Sequence, residues 1–252
     1  MHITISEFFS NGFVGEYYLA NIEKQSSTVF IIIAAAIIMI CAYLLGSINF
    51  AIIISGRKYH EDIRAHGSKN AGMTNMMRTY GRTAAAFTLL GDALKAITAC
   101  LFGYALIGQL GAYIAGVFCI LGHVFPIFYR FKGGKGVVTA FATILMCDPF
   151  IFLILFLLFV LIVLFTKFIS LGSILCMLLY PILLDRITRF VSRFSTGEAS
   201  TSPYIIFTVI IAAIIVVKHW ENIKRLSQGT ENKFSFKKSV KVSEEEIKEC
   251  ND

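Results

Sequence analysis

The stretch VFIIIAAAIIMICAYLLGSINFAIIIS, residues 29–55, decides the fold class. It carries no charged side chain, and about 20 consecutive apolar residues are enough for a helix to cross the hydrocarbon core of a bilayer. The stretch ends at Gly56, Arg57 and Lys58. Because basic residues next to membrane spans favour the cytoplasmic side, this pattern predicts a first span with a cytoplasmic flank.

The rest of the chain has the same character. Of 252 residues, 56% are apolar and 15% are charged, and the mean hydropathy is +0.72, whereas soluble domains carry about 25% charged residues. The composition predicts an integral membrane protein without a separate soluble domain of ordinary size. The net charge of +7 is typical of cytoplasmic loops, and it also suits an anionic ligand.

The cysteines do not form a recognisable framework. They lie far apart and mostly inside apolar runs, without a CxxC pair and without a histidine at metal-ligand spacing. The six positions are Cys41, Cys100, Cys119, Cys147, Cys176 and Cys250. We therefore predict neither a disulfide scaffold nor a zinc site.

Further apolar runs predict an all-α, polytopic transmembrane helix bundle of about seven spans. Asp148 and Pro149 divide the long run 137–166, because proline removes a backbone donor and disfavours helix in the residue before it. After the first span, the predicted spans are 83–107, 109–128, 137–147, 150–166, 169–184 and 203–217. Treating 137–166 as one tilted helix is the alternative, and it reverses the side of every later segment.

The seven-span arrangement places the N-terminus outside and the C-terminus in the cytoplasm. Most basic segments then share the cytoplasmic face, namely 57–82, 130–135, Lys167 and 218–241, whereas 185–202 lies outside. The predicted domains are an N-terminal extension over 1–28, a single integral membrane domain over 29–234, and a charged cytoplasmic tail over 235–252.

The first polar segment with candidate chemistry is HGSKNAGMTNMMR, residues 66–78. Ser68, Thr74, Asn75 and Arg78 supply hydroxyl, amide and guanidinium donors that suit an anion. A solvated loop whose Asn and Ser side chains cap the next helix explains the same composition equally well.

The second segment is a glycine-rich turn that precedes the span predicted from 137. Its residues are Lys132, Gly133, Gly134, Lys135 and Gly136. Such a turn directs backbone N–H groups and the positive end of a helix dipole at one place, which favours phosphate binding. The spacing differs from that of a Walker A loop, and a basic cytoplasmic turn is the alternative interpretation.

The third segment, residues 219–234, brings His219 and Asn222 to one helical face. His219 is a candidate general base, an orienting donor or an ordinary interfacial histidine. Glu231 follows the helix as a candidate partner for Arg or Lys. In the second predicted span, Asp92 and Lys95 lie three residues apart on one face, and such charges usually face a polar interior. An ion pair between helices and a direct catalytic role are the two interpretations.

Taken in order, these motifs resemble those of the PlsY family of membrane acyl-phosphate:glycerol-3-phosphate acyltransferases. The matching segments are GS at 46–47, HGSKNAGMTN with Arg78, the Asp92 and Lys95 pair, GHVFPIFYRFKGGKGVVT at 122–139 and HWENIKRLSQGTENKF at 219–234. The resemblance covers about residues 40–234. The chain departs from the family pattern at Asn49 in place of the proline of GSxP, at Lys69 in place of a glycine, and at Met73 in place of an alanine.

The resemblance implies transfer of a fatty acyl group from acyl phosphate to the 1-hydroxyl of sn-glycerol 3-phosphate, giving lysophosphatidic acid and phosphate. It implies catalytic roles for Ser68, Arg78, His219 and Asn222. It implies substrate or phosphate contacts for Thr74, Asn75, Lys132, Gly133, Gly134, Lys135, Gly136 and Glu231, with the turn at 133–136 holding the phosphate of acyl phosphate. The proton acceptor is either His219 or the donor's own phosphate.

The same resemblance implies a multi-pass protein of the bacterial plasma membrane whose active site faces the cytoplasm. No cofactor, metal or nucleic acid is expected. The implied partners are acyl phosphate and glycerol 3-phosphate as substrates, the lipid bilayer, and the enzyme that makes acyl phosphate.

Two other classes of protein are alternatives to this one. Acyltransferases that use thioester donors have a His and an Asp separated by four residues, and this chain lacks that dyad. A transporter for a phosphorylated solute would have broken helices in paired repeats. Asp148 and Pro149 provide one break, but the sequence does not repeat it.

Overall fold

The computed structural model describes residues 24–234, and within this range the chain forms helices and no strand. The helices are α1 (Lys24–Ser47), α2 (Phe50–Tyr59), α3 (Met73–Tyr80), α4 (Arg82–Val124), α5 (Val137–Cys147), α6 (Pro149–Thr166), α7 (Ile169–Thr196), α8 (Ile205–Lys218) and α9 (Trp220–Ser227). Short 3₁₀ turns cover Ile63–Ala65 and Ile127–Tyr129. The predicted all-α architecture is confirmed.

Helix α4 is a hairpin of two arms. Its backbone leaves the helical region at Ile107 and Gly108, where Gly108 adopts a φ of 61°. Lys95 Nζ lies 2.9 Å from His123 Nδ1 although 28 residues separate them in sequence, a stretch that would be about 42 Å long as a straight helix. The arms therefore run antiparallel, as the two predicted spans 83–107 and 109–128 require, and both ends of α4 lie at the same end of the bundle.

The predicted division at Asp148 and Pro149 is confirmed. Helix α5 ends at Cys147 and α6 begins at Pro149, with Asp148 at φ −140° and ψ 70° between them. The hydroxyls of Tyr113 and Tyr180 donate to Asp148 Oδ2 at 2.5 and 2.6 Å. These bonds satisfy the half-buried Asp148 carboxylate, which lies between the two helices and belongs to neither.

The outer surface of the bundle is apolar, as contact with lipid requires. Leu164 is 66% exposed and Phe165 is 85% exposed. Among the described residues, the segments long and apolar enough to cross a bilayer are Val29–Tyr59, Arg82–Tyr129, Pro149–Thr166 and Ile169–Ser195, together with the pair Ile205–Lys218 and Trp220–Ser227, which is bent by 59°. Helix α5, with 11 residues, rises only about 16 Å, so the count of seven spans stays a prediction.

Three boundaries differ from the sequence-based ones. The first span is broken, because Asn49 ends the α1 segment and caps α2 by accepting from the Ile52 N–H at 3.1 Å. The expected loop 57–82 contains α3, which buries Met76 in a small core with Ile63. Segment 185–202 is helical as far as Thr196, where an Arg189–Asp185 pair at 2.8 Å supports the last turns of α7.

Helix α1 begins at Lys24, within the predicted N-terminal extension 1–28, and the predicted domain boundaries stay predictions. The first 23 residues of the extension and the predicted tail 235–252 lie outside the described residues.

Candidate active site

The polar segment between α2 and α4 is organised by one buried side chain, Asn75. Its amide nitrogen donates to the carbonyls of His66 at 2.9 Å and Asn70 at 3.1 Å, and its amide oxygen accepts from the Ser68 N–H at 2.9 Å. These bonds use the amide on the loop's own backbone. Asn75 thus holds the backbone of the loop, and its predicted contact with substrate stays a prediction, while Ser68 lies exposed on the loop.

Arg64 joins this loop to the glycine-rich turn. Its guanidinium donates to the carbonyl oxygens of Tyr129 at 3.1 Å and Lys132 at 3.0 Å, and it pairs with Asp62 at 2.7 Å. Sequence reasoning missed this role, because Arg64 is one of several basic residues in its segment and its targets are backbone carbonyls far along the chain.

The glycines of the turn permit close packing and one unusual backbone conformation. The Gly134 N–H donates to the His123 carbonyl at 3.1 Å. A Cβ on Gly134 would meet the His123 ring and would lie 2.6 Å from the Ala71 carbonyl oxygen. Gly136 has a φ of 80°, in the left-handed region that favours glycine. The turn therefore has a tightly defined shape at the point where α5 begins.

The two lysines of the turn have different environments. Lys132 is exposed, whereas Lys135 is partly buried and donates from Nζ to Asn222 Oδ1. Asn222 Nδ2 in turn donates to Glu231 Oε1 at 2.6 Å. The turn before α5 is thereby connected to α9 and to the segment after it, and Lys135 rather than Lys132 makes this connection.

Glu231 is the centre of a polar network. Arg225 Nε donates to Glu231 Oε2 at 2.7 Å, and Ser170 Oγ donates to Glu231 Oε1 at 2.8 Å. Arg78, from α3, lies close enough to interact electrostatically with both Glu231 and Arg225. Sequence analysis predicted an Arg or Lys partner for Glu231 but did not identify Arg225 or Ser170.

The electrostatics of this cluster favour an anion. Within the described part of the chain, Arg78, Lys135 and Arg225 lie close to Glu231, so positive charge exceeds negative charge in the cluster. Burial lowers the pKa of Lys135 to about 8, and the neighbouring arginines lower it while Glu231 raises it. Burial also lowers the pKa of Arg78. A bound phosphate would place negative charge beside Lys135 and Arg78 and would therefore favour the charged form of both side chains.

Burial by itself would raise the pKa of Glu231, but hydrogen bonds from Asn222, Arg225 and Ser170 lower it overall. The carboxylate therefore stays ionised near neutral pH. Its charge holds Asn222 and Arg225 in fixed positions.

His219 lies at the bend between α8 and α9. Its Nδ1 is 2.7 Å from the Ile215 carbonyl oxygen, and because a carbonyl can only accept, Nδ1 carries the proton of the neutral ring. Nε2 is then the acceptor nitrogen, as a proton acceptor or an orienting group requires. The imidazole also interacts electrostatically with Lys135.

The end of α6 lies beside the same cluster. The Phe234 N–H donates to the Lys167 carbonyl at 2.7 Å, and Ser170 at the start of α7 reaches Glu231. Segments 57–82, 130–135, Lys167 and 218–234 therefore meet at one end of the bundle, as their basic character predicted.

Most of the predicted site residues come together there. The network joins Arg78, Lys135, His219, Asn222 and Glu231, and Gly133, Gly134 and Gly136 lie in the same turn as Lys135. Thr74 lies one turn before Arg78 on α3, and Ser68 lies on the loop that precedes α3. Lys132 is exposed, and its backbone carbonyl serves Arg64.

A cationic cluster at one end of an apolar helix bundle defines an integral membrane protein that handles an anionic substrate. The family model described as "Glycerol-3-phosphate acyltransferase" matches residues 36–229. A relative with that name from Thermoanaerobacter sp. (strain X514) is 38% identical over 207 residues, covering 82% of this chain and 99% of the relative. Another from Geobacter sulfurreducens is 41% identical over 196 residues, covering 77% and 94%.

Two crystal structures are also similar to this chain. They show PlsY (YgiH), an integral membrane glycerol 3-phosphate acyltransferase, in its glycerol 3-phosphate form with a TM-score of 0.69 and in its lysophosphatidic acid form with a TM-score of 0.65. Each is 32% identical in sequence and covers 80% of this chain and 96% of the solved chain. The chain belongs to the glycerol-3-phosphate acyltransferase family and is an enzyme of that family.

Proposed function

We propose that the chain transfers a fatty acyl group from an acyl phosphate to the 1-hydroxyl of sn-glycerol 3-phosphate, giving lysophosphatidic acid and inorganic phosphate. The observation that carries this proposal is the convergence of Arg78, Lys135, His219 and Asn222 from three distant segments. Cations suit the phosphates of both substrates, and the names of the solved relatives support the acceptor and the product.

The reaction needs positioning and charge stabilisation more than a strong nucleophile, because an acyl phosphate is already activated. The hydroxyl oxygen of glycerol 3-phosphate forms a bond to the acyl carbon, and the bond between that carbon and the phosphate oxygen breaks. The hydroxyl proton passes either to the departing phosphate or to His219 Nε2. No further reactant is needed to balance this step.

We assign the residues as follows. The turn 133–136 holds the phosphate of acyl phosphate through backbone N–H groups other than that of Gly134, which donates to the His123 carbonyl, and Lys135 balances its charge. Ser68 and Arg78 bind phosphate oxygens, with Thr74 beside them. His219 and Asn222 orient the reacting groups. Glu231 positions Asn222 and Arg225 rather than contacting substrate, because hydrogen bonds within the protein occupy both of its oxygens.

We place the enzyme in the bacterial plasma membrane with seven spans and with this site facing the cytoplasm, where glycerol 3-phosphate is dissolved. The acyl chain would lie between helices and open to the bilayer, where burial contributes about 0.8 kcal/mol per methylene. Because the donor is apolar, we also propose the enzyme that produces acyl phosphate as a partner.

A phosphate-release assay with purified full-length protein tests the activity. With palmitoyl phosphate and glycerol 3-phosphate, we expect equal amounts of phosphate and lysophosphatidic acid. Comparable turnover with palmitoyl-CoA would contradict the proposed donor. Movement of glycerol 3-phosphate into liposomes without donor consumption would instead indicate a transporter.

The lowered pKa of Lys135 predicts a pH dependence. Its ammonium is present below a pKa of about 8 and lost above it, so kcat/KM, which reports the free enzyme, should fall about tenfold between pH 7 and pH 9. The substrate phosphates, with a second pKa near 6, do not change charge in this range. In Lys135→Arg, whose guanidinium stays charged, the decline should disappear from this range, and an unchanged profile would contradict the assignment.

The topology is tested by cysteine accessibility. Ser195, exposed near the end of α7, should be outside the cell, and Ser227, exposed at the end of α9, should be inside. In Ser195→Cys, we expect labelling by an impermeant thiol reagent applied to intact cells, whereas Ser227→Cys should react only after the membrane is opened. If only Ser227→Cys reacts in intact cells, the proposed orientation is wrong. If both variants react from the same side of the membrane, the span count is wrong.

A further inference from the structure

A compact group of buried charged and polar side chains lies inside the α4 hairpin, next to the site. Lys95 Nζ is 2.8 Å from Asp92 Oδ1 and 2.9 Å from His123 Nδ1. The side chains of Asp92 and Lys95 are each 2% exposed, and that of His123 is 5% exposed. The proposed mechanism does not use this group.

The geometry determines which ring nitrogen of His123 carries the proton. An ammonium can only donate, so at 2.9 Å the His123 Nδ1 must be the acceptor. Asp92 Oδ1 is farther from Nδ1, at 3.5 Å, and lies closer to the ammonium. The neutral imidazole therefore carries its proton on Nε2.

The same ammonium holds the end of α1. Lys95 Nζ donates to the carbonyl oxygens of Gly46 at 3.0 Å and Ile48 at 2.6 Å. These carbonyls lie where the first span breaks, and the next residue, Asn49, donates from Nδ2 to the Ala71 carbonyl at 3.3 Å. Lys95 thus supports the segment that leads to the polar loop of the site.

His123 connects this group to the glycine-rich turn. Its carbonyl accepts from the Gly134 N–H at 3.1 Å. Its Nε2 lies against Gly134, in the space that a side chain at this position would fill, and the Ala71 carbonyl lies on the same side of Gly134. The Nε2–H group of His123 therefore lies directly against the turn at Gly134.

We propose that Asp92, Lys95 and His123 form a positioning unit for phosphate binding. Lys95, balanced by Asp92, fixes His123 as the Nε2–H tautomer and holds the break after α1, and His123 and Ala71 together set the shape of the turn around Gly134. This proposal rests on the proposed role of the turn in binding a substrate phosphate. If the Asp92–Lys95 pair only stabilised the hairpin, its removal would lower the stability of the protein without changing the tautomer of His123 or the KM for one substrate.

The tautomer is measured by ¹⁵N NMR of histidine-labelled, full-length protein in detergent micelles, with His123→Gln used to assign the His123 signals. We expect a protonated Nε2 and an acceptor Nδ1 in the parent chain, and a mixture of tautomers or a changed tautomer in Lys95→Met. A protonated Nδ1 in the parent chain, or an unchanged Nε2–H tautomer in Lys95→Met, would overturn the proposal. This measurement needs no activity, so it is independent of the proposed function.

Kinetics test the effect on the turn. In Lys95→Met, we expect KM to rise at least tenfold for the same phosphate substrate whose KM rises in Gly134→Ala, with a smaller change in kcat. Tyr180→Phe is the matched control, because it removes one buried hydrogen bond to Asp148, away from this cluster. Its thermal midpoint should fall while both KM values stay within twofold of those of the parent chain.

If Lys95→Met does not fold, the double variant Asp92→Asn/Lys95→Gln, which leaves no unpaired buried charge, should show the same rise in KM. An unchanged KM in the folded variant, or an equal rise in Tyr180→Phe, would overturn the proposal. Absence of acyl transfer in the parent chain would instead refute the proposed function, and the NMR result would still decide the tautomer.

Discussion

Lys135→Met is expected to lower kcat/KM for acyl transfer by about two to three orders of magnitude, the usual effect of removing one donor that stabilises transition-state charge. The Lys135 ammonium lies inside the cationic cluster, hydrogen-bonded to Asn222, and methionine keeps most of the side-chain volume without the charge. The measurement is the initial rate of phosphate release at pH 7 with both substrates varied.

Lys132→Met is the matched control, because Lys132 is in the same turn but is exposed, and its contribution to the site is its backbone carbonyl. We expect its kcat/KM to stay within about threefold of the parent value, since exposed substitutions usually change free energies by less than about 0.5 kcal/mol. Equal losses in the two variants would show that the turn acts only through its overall positive charge.

Gly134→Ala is expected to reduce kcat/KM at least about a hundredfold, because a displaced phosphate loses well-aligned N–H donors. The added Cβ would meet the His123 ring and lie 2.6 Å from the Ala71 carbonyl oxygen, so the turn has to move. Sequence reasoning by itself suggests that this variant folds normally. The structure adds a packing conflict with buried groups, and we therefore expect a lower thermal midpoint as well.

The control is Gly56→Ala, where a Cβ meets no heavy atom within 4 Å and which lies near the end of α2. It should keep parent activity and stability. The two KM values of Gly134→Ala identify which substrate phosphate the turn holds, with the rise expected for acyl phosphate. Near-parent activity in Gly134→Ala would remove the phosphate-binding role of the turn.

The sequence was informative wherever local rules apply. Residues 29–55 and the later apolar runs predict membrane helices because hydrophobic length is a property of consecutive residues. Asp148 and Pro149 predict the break between α5 and α6 because proline acts on its own backbone and on the residue before it. The glycines at 133–136 likewise indicate a turn with unusual backbone requirements.

Some errors arose where tertiary contacts override local composition. The polar segment 57–82 reads as a loop, but α3 forms within it because Met76 packs against Ile63 and because Asn75 satisfies the backbone of the preceding loop. The apolar run 29–55 reads as one helix, but it breaks before Phe50, where the Lys95 ammonium donates to the Gly46 and Ile48 carbonyls and Asn49 Oδ1 accepts from the Ile52 N–H. Each outcome includes a partner more than ten residues away, Ile63 for Met76 and Lys95 for the break before Phe50.

Hydropathy, glycine content and motif identity are local properties, so the sequence was enough to identify a helical membrane protein and to predict which polar segments carry its chemistry. Contacts between distant segments place Lys135 rather than Lys132 beside Asn222, direct the Asn75 amide to the loop backbone, and bring Arg225 and Ser170 to Glu231. The physical reason is that burial and hydrogen-bond partners are set by contacts between segments far apart in sequence, and residue type alone does not specify those contacts.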